Sequence, residues 1–147
     1  MHQISILVLL VASSGAILCT IMIHTMPAGG TIWFVRRERK LGHMGRDFWS
    51  DTRIVVPVVL IAVVAHLIEM ALWAIVFLLC AGFADIGTAY YHSAVNFTAL
   101  GVLLSPHWRM LGPLEAATGM PMFGVSTAMV FAVIQGLAQT RFVDLRV

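Results

Sequence analysis

Charged side chains are scarce in this chain: Asp, Glu, Lys and Arg make up only 11% of its 147 residues, whereas 60% are hydrophobic. Soluble domains typically have about a quarter of their residues charged, so this composition excludes an ordinary soluble protein and predicts an integral membrane protein. The length has space for three spans of about 20 residues each, but not for a separate soluble domain. We therefore expect one membrane domain over residues 1–147, surrounded by the lipid bilayer and without a nucleic-acid partner.

Lys and Arg are absent from the first 35 residues, since none precedes Arg36. The first apolar run consequently lacks the basic start of a secretory signal peptide, and we expect it to be retained as a span over residues 4–26. The helix breakers in Pro27-Ala-Gly-Gly30 predict its end. Six of the nine Lys and Arg residues then fall in segment 36–53, and positively charged loops remain in the cytoplasm.

This charge bias fixes the predicted topology of the remaining spans. The second span covers residues 54–80 and runs outward, and the third covers residues 116–137 and returns to the cytoplasm. The N-terminus is therefore expected outside and the C-terminus inside.

Cysteines are also few, and the two present, Cys19 and Cys80, lie at different depths of this arrangement, which excludes a disulfide between them. The sequence lacks a nucleophile elbow, a phosphate-binding loop, a dinucleotide fingerprint and a paired acid and base. We expect no enzymatic activity and no cofactor.

The stretch 85–107, between the second and third spans, is too polar to cross a bilayer and too apolar for an exposed loop. Irregular backbone at membrane depth must be covered by protein or line a watery cavity, so a short helix followed by a Gly-containing turn predicts a re-entrant pore loop. The expected fold class is therefore all-α integral membrane, with three transmembrane helices plus a re-entrant pore helix and loop between the second and third.

Four segments in the second half of the chain carry a family resemblance. They are His66-Leu-Ile-Glu-Met-Ala-Leu-Trp-Ala74, Tyr91-His-Ser-Ala-Val-Asn-Phe-Thr-Ala-Leu-Gly101, Leu104-Ser-Pro-His-Trp-Arg-Met-Leu-Gly-Pro-Leu-Glu-Ala116 and Phe123-Gly-Val-Ser-Thr-Ala128. Their order and content resemble the bacterial pore-loop channels built on a two-transmembrane potassium-channel pore, and more narrowly a three-span subgroup with an extra N-terminal helix. The resemblance implies a homotetramer in the bacterial cytoplasmic membrane and a monovalent cation as the conducted ion.

The filter of that family has the form Thr-Thr-Leu-Gly-Tyr-Gly-Asp, and its carbonyls and second Thr hydroxyl replace the hydration shell of potassium. The matching positions here are Thr98, Ala99, Leu100 and Gly101, followed by Val102 where the family has Tyr. The Tyr-Gly-Asp step is missing and the loop is about three residues short. Because a cation sheds its water only where other dipoles replace it, the resemblance implies altered or poor selectivity.

Ionisable residues inside a span suggest a functional or bracing role. His66 and Glu69 share one face of the second span, and we expect them, with His92 of the pore helix, to support the pore helix from behind. A metal site built from His66, Glu69 and His92 is disfavoured, because no further ligand completes it at a recognisable spacing. His24 is expected near the opposite membrane face and outside this group, so we predict no metal.

Four small residues recur at every fourth position of the third span: Gly124, Ala128, Ala132 and Gly136. Such a stripe permits close contact with another helix, although chance in an Ala-rich span is the alternative.

Three hypotheses for function follow from the sequence. The first is a potassium-channel-like protein that conducts cations with altered or poor selectivity. The second is a non-conducting, channel-derived structural or accessory subunit of a larger membrane complex. The third is a metal-handling membrane protein that uses His66 and Glu69.

Overall fold

The structure is a computed structural model that describes the backbone of residues 2–81, 83–101, 104, 106 and 108–144, with side chains from Leu7 to Arg141 within those ranges. Its elements are α1 (His2–Lys40), α2 (Phe48–Val76), a π-helical continuation of α2 (Phe77–Ala81), α3 (Ile86–Phe97) and α4 (Leu111–Asp144). Helices α1, α2 and α4 are long and apolar enough to cross a membrane. The all-helical class with three candidate membrane spans is confirmed.

Helix α1 is much longer than the sequence predicts, since it continues unbroken through Pro27 to Lys40. The prediction that Pro27-Ala-Gly-Gly30 interrupts the helix is wrong. A proline removes one helical hydrogen bond, but apolar surroundings offer the neighbouring backbone groups no water as an alternative, so the helix persists. The basic residues Arg36 to Lys40 consequently form the last turn of α1, and only residues 41–47 are non-helical before α2 begins.

Helix α1 turns most of its large apolar side chains outward and its small or polar ones inward. Along α1 the inward face carries Ser13, Ala16, Thr20, His24 and Thr31, all buried, whereas Leu7, Val11, Leu18 and Met22 are more than 60% exposed. Lipid solvates apolar side chains as well as a protein core does, so helices in membranes associate through small residues and hydrogen bonds. The bundle therefore needs polar contacts in its interior.

Two apolar clusters lie at opposite ends of the bundle. The α3-side core consists of Leu9, Ala16, Trp73, Ala74, Phe77, Ala89 and Leu111. The loop-side core consists of Met44, Ile54, Val58, Val133 and Leu137. The polar residues of the candidate site lie on α1, α2 and α4 at sequence positions between the two clusters.

The 41–47 loop is fastened to the end of α4. Gly45 has a φ of +76°, a conformation that favours glycine, and a Cβ there would crowd the backbone nitrogen of Arg141 at 3.2 Å. The Gly45 N–H donates to Asp51 Oδ1 at 2.8 Å, and Arg141 Nη2 donates to Asp51 Oδ2 at 2.7 Å. The cysteines behave as expected, because Cys19 and Cys80 are both free.

Candidate functional site: a short helix and a buried polar cluster

Helix α3 begins at a side-chain cap. Asp85 Oδ1 accepts the Thr88 backbone N–H at 2.8 Å, and Thr88 Oγ1 donates to Asp85 Oδ2 at 2.6 Å. The hydrogen bond from the Thr88 side chain, followed by that from its backbone, lowers the pKa of Asp85 below its usual value. The cap fixes where the chain turns from the end of α2 into α3.

The body of α3 is held between α2 and α4. The Ser93 hydroxyl lies 2.8 Å from the Met70 carbonyl of α2 and 2.5 Å from Glu115 Oε1 of α4. Glu115 is fully buried, so this contact crosses a dry interface. Ser93 thereby joins all three helices at one point.

The last residue of α3, Phe97, lies much deeper along α2 than the start of α3 does. Ala89 packs in the α3-side core with Phe77, whereas the Phe97 ring is 5.6 Å from the ring of His66 and 5.3 Å from that of Phe123. On α4 the approach is so close that a Cβ at Gly119 would stand 2.6 Å from the Phe97 carbonyl oxygen.

The residues at the predicted filter positions, Thr98 to Gly101, come immediately after α3 in the chain. The Thr98 hydroxyl donates back to its own helix, at 3.0 Å from the carbonyls of both Ala94 and Val95. Ala99 and Gly101 have φ angles of +61° and +73°, and the Leu100 side chain is 78% exposed. Val102 lies outside the described residues.

A cavity of about 380 Å³ lies beside this turn. It is bounded by Asn96 at the end of α3, by Ala99 and Gly101, and by Gly112 and Arg109 at the start of α4. Arg109 is thus the charged residue among those that line this cavity.

The three residues expected to support α3 behave differently from one another. His66 contacts the end of α3 through its ring, as described above. The ring of His92 lies 4.5 Å from that of Phe83, beyond the end of α2. Glu69 is buried as expected, but its oxygens bond to histidines, and the carboxyl that meets α3 is Glu115. Glu115 could have been found as an ionisable residue inside an apolar helix.

A polar cluster joins α1, α2 and α4 at the centre of the bundle. His24 Nδ1 is 3.0 Å from Glu69 Oε1, and His66 Nδ1 is 3.1 Å from Glu69 Oε2. The other ring nitrogen of His66, Nε2, lies 3.1 Å from Ser126 Oγ. All four residues are buried. We name His24, His66, Glu69 and Ser126 the central cluster.

The exclusion of His24 from this region is therefore wrong, and the cause is the length of α1. The sequence places the cytoplasmic end of the first span near Met26, which would put His24 at the membrane face. Because the helix runs to Lys40, His24 lies about 18 Å from Arg36 at 1.5 Å per residue. By the same measure Glu69 is about 22 Å from Ile54, so the two residues lie at similar depths.

The central cluster also has the composition of a metal site. One ligand atom from each of His24, His66 and Glu69 lies within 4.8 Å of the other two. Two imidazoles and one carboxylate form a ligand set that zinc uses in proteins.

The small-residue stripe on α4 faces largely away from the chain. Gly124, Ala128 and Ala132 are exposed, and Gly136 is partly buried against Met44.

Comparison of the chain with protein-family models, curated proteins and solved structures finds no match. The likeness to pore-loop channels accordingly depends on the four segments quoted above.

Proposed function

We propose that this chain is a channel-like pore-loop subunit in which α3 is a re-entrant pore helix. The observation that carries the proposal is the way α3 is held: it starts beside Phe77, reaches His66 at Phe97, and is followed by a return to Leu111. Leu111, Phe77 and Ala89 belong to one cluster, so the chain leaves and rejoins the same end of the bundle. With 12 residues, α3 is about 18 Å long, too short for a hydrocarbon core of about 30 Å.

The turn after α3 supports a pore with weak ion discrimination. The positive φ of Ala99 closes α3 in a Schellman-type cap, since the Ala99 N–H donates to the Asn96 carbonyl at 2.8 Å and the Leu100 N–H to the Val95 carbonyl at 3.1 Å. Gly101, also at positive φ, then leaves only a short turn to offer carbonyls to an ion. The partial negative charge at the C-terminus of α3 also favours a cation there. Thr98, however, has its hydroxyl turned to its own helix, and Ala99 has none. A monovalent cation thus meets few replacement ligands, so potassium and sodium pass with similar ease.

Assembly into a ring is the second part of the proposal. A re-entrant loop forms a pore only when several copies surround one axis, and the family resemblance implies four. The exposed Gly124, Ala128 and Ala132 face of α4 is suited to close contact with another helix.

The experiment combines oligomeric state with ion flux. The protein is purified in mild detergent, its mass is measured by light scattering, and it is reconstituted in liposomes with potassium or sodium gradients. We expect a tetramer whose fluxes of the two ions are similar. A strongly potassium-selective flux contradicts the interpretation of the turn, and a monomer without flux contradicts the channel.

One observation favours the second candidate, a non-conducting accessory subunit of a larger membrane complex. Arg109 lines the cavity beside Ala99 and Gly101, and a fixed positive charge at that position repels cations. Arg109→Gln distinguishes the two functions. The substitution should raise cation flux if the turn lines a pore, and no flux should be measured with either the wild type or the variant if the turn only contacts a partner.

A further inference from the structure

We propose that His24, His66 and Glu69 form a zinc-binding site at the centre of the bundle, independent of whether the protein conducts ions. The site joins α1 to α2, and its ligands are one nitrogen of each imidazole and the carboxylate of Glu69. A water molecule occupies the fourth position, as in other zinc sites with three protein ligands.

The three side chains are close enough to share one metal ion after their rings and carboxylate adjust. Zinc binds nitrogen and oxygen ligands at about 2.0–2.1 Å, so neighbouring ligand atoms in a tetrahedron are roughly 3.3 Å apart. His24 Nδ1 lies 3.0 Å from Glu69 Oε1 and His66 Nδ1 lies 3.1 Å from Glu69 Oε2, so the two histidines contact different oxygens of the carboxylate. One ligand atom from each of the three residues lies within 4.8 Å of the other two. Small rotations of the two rings would bring the three atoms into range of a common ion.

The charge of the cluster also favours a cation. Glu69 is fully buried, and a buried carboxylate is unfavourable unless a positive partner lies beside it. The described Lys and Arg residues lie elsewhere: in segment 36–53, at Arg109 and at Arg141. The positive partner must therefore be an extra proton or a metal ion, and the experiment below distinguishes them.

Ser126 supplies the outer hydrogen bond that metal-binding histidines usually make. When Nδ1 of His66 binds a metal, its proton is lost and Nε2 carries the remaining one, which donates to Ser126 Oγ at 3.1 Å. The Ser126 hydroxyl is then free to donate to the carbonyl of Met122 or Phe123, each at 3.1 Å. The Ser126 hydroxyl can therefore accept a hydrogen bond from His66 when Nε2 is protonated and donate one when Nε2 is not.

His66 is the most exposed of the three proposed ligand residues. The His66 side chain is 10% exposed, whereas those of His24 and Glu69 are 3% and 0% exposed. The ring of Phe123, 4.5 Å from that of His66, is itself at the surface.

The test is metal binding by the whole protein, purified in detergent with an affinity tag that contains no histidine. After incubation with Zn²⁺ and removal of excess, elemental analysis should find one zinc per chain. Incubation with Co²⁺ should give the intense visible absorption of a tetrahedral site. An absence of retained zinc and of the cobalt bands in the wild-type protein overturns the proposal and leaves a proton as the partner of Glu69.

Two ligand variants, Glu69→Gln and His24→Gln, should lose stoichiometric binding. The matched control is His43→Gln, because His43 forms a similar contact with Glu38 at 2.8 Å on the surface and should bind as the wild type does. Should the ligand variants fail to fold, Ser126→Ala provides the alternative, since it leaves all three ligands in place. It should weaken zinc binding roughly 10- to 100-fold, and unchanged affinity in Ser126→Ala, or loss in His43→Gln, contradicts the site.

Discussion

The contact between α3 and α4 can be tested by adding a single methyl group. In Gly119→Ala the new Cβ would stand 2.6 Å from the Phe97 carbonyl oxygen and 3.0 Å from Phe97 Cδ2. A backbone carbonyl cannot rotate away as a side chain can, so α3 must shift from α4. Overpacking of this kind typically costs about 1–3 kcal/mol, and we expect Gly119→Ala to destabilise the protein by this amount relative to a variant that gains the same methyl without the clash.

Gly15→Ala is that variant. It lies within helix α1, outside the small-residue stripe of α4, and a Cβ at Gly15 meets nothing within 4 Å. Both substitutions gain the same helix propensity, roughly 1 kcal/mol, so the difference between them isolates the contact with Phe97. Heating in detergent followed by size-exclusion chromatography gives the two midpoints, which should differ by roughly 2–4 °C for each kcal/mol. Equal midpoints would show that α3 does not pack against Gly119, and the proposed re-entrant helix would lose its main support.

Three further predictions concern the same region and the topology. Ser93→Ala leaves the buried Glu115 carboxyl without its partner at 2.5 Å and should destabilise the protein by about 1–3 kcal/mol; the double variant Ser93→Ala, Glu115→Leu should recover much of the loss in the same thermal assay. Because the pKa of Asp85 is lowered in the folded chain, its cap contributes above the pKa of an unfolded aspartate, about 3.9, and the contribution disappears as pH falls through the lower folded value. Asp85→Asn should flatten that part of the stability profile, and Asp85→Ala should lower stability at neutral pH as well. Finally, single cysteines at Gly42 and Gly87, in a background lacking Cys19 and Cys80, should be labelled from opposite sides of the membrane; labelling from the same side contradicts the topology.

The class of fold could be predicted from the sequence because it depends on quantities that are summed over many residues. Mean hydropathy and the scarcity of charge indicate a membrane protein, and three long apolar runs indicate three spans. The short helix within 85–107 was predictable for a similar reason, since its composition fits neither a span nor an exposed loop. Its limits, Ile86–Phe97, lie inside the predicted stretch.

The partners of single residues were less predictable, because they depend on how far each helix extends. Glu69 and Glu115 are both acidic residues within apolar helices, and the sequence offers no means of deciding which of them meets α3. The rotation of α2 about its own axis decides which glutamate contacts α3. The face of α2 that carries Glu69 is turned toward α1, whereas Ser93 of α3 contacts the backbone of α2 at Met70. A hydrogen bond to a backbone carbonyl leaves no trace in a side-chain pattern.

The error at His24 shows the same dependence on helix length. Pro27 and the two glycines that follow it are reliable helix breakers where water can take over the freed backbone groups, and the predicted end near Met26 assumes that they act so here. In an apolar environment the balance reverses, because an open backbone group without a partner costs more than the proline does. Once α1 continues to Lys40, His24 moves from the membrane face to the depth of Glu69, and a pair of residues on α2 becomes a three-residue ligand set. The strongest functional hypothesis in the centre of the bundle therefore depends on a proline that does not break its helix.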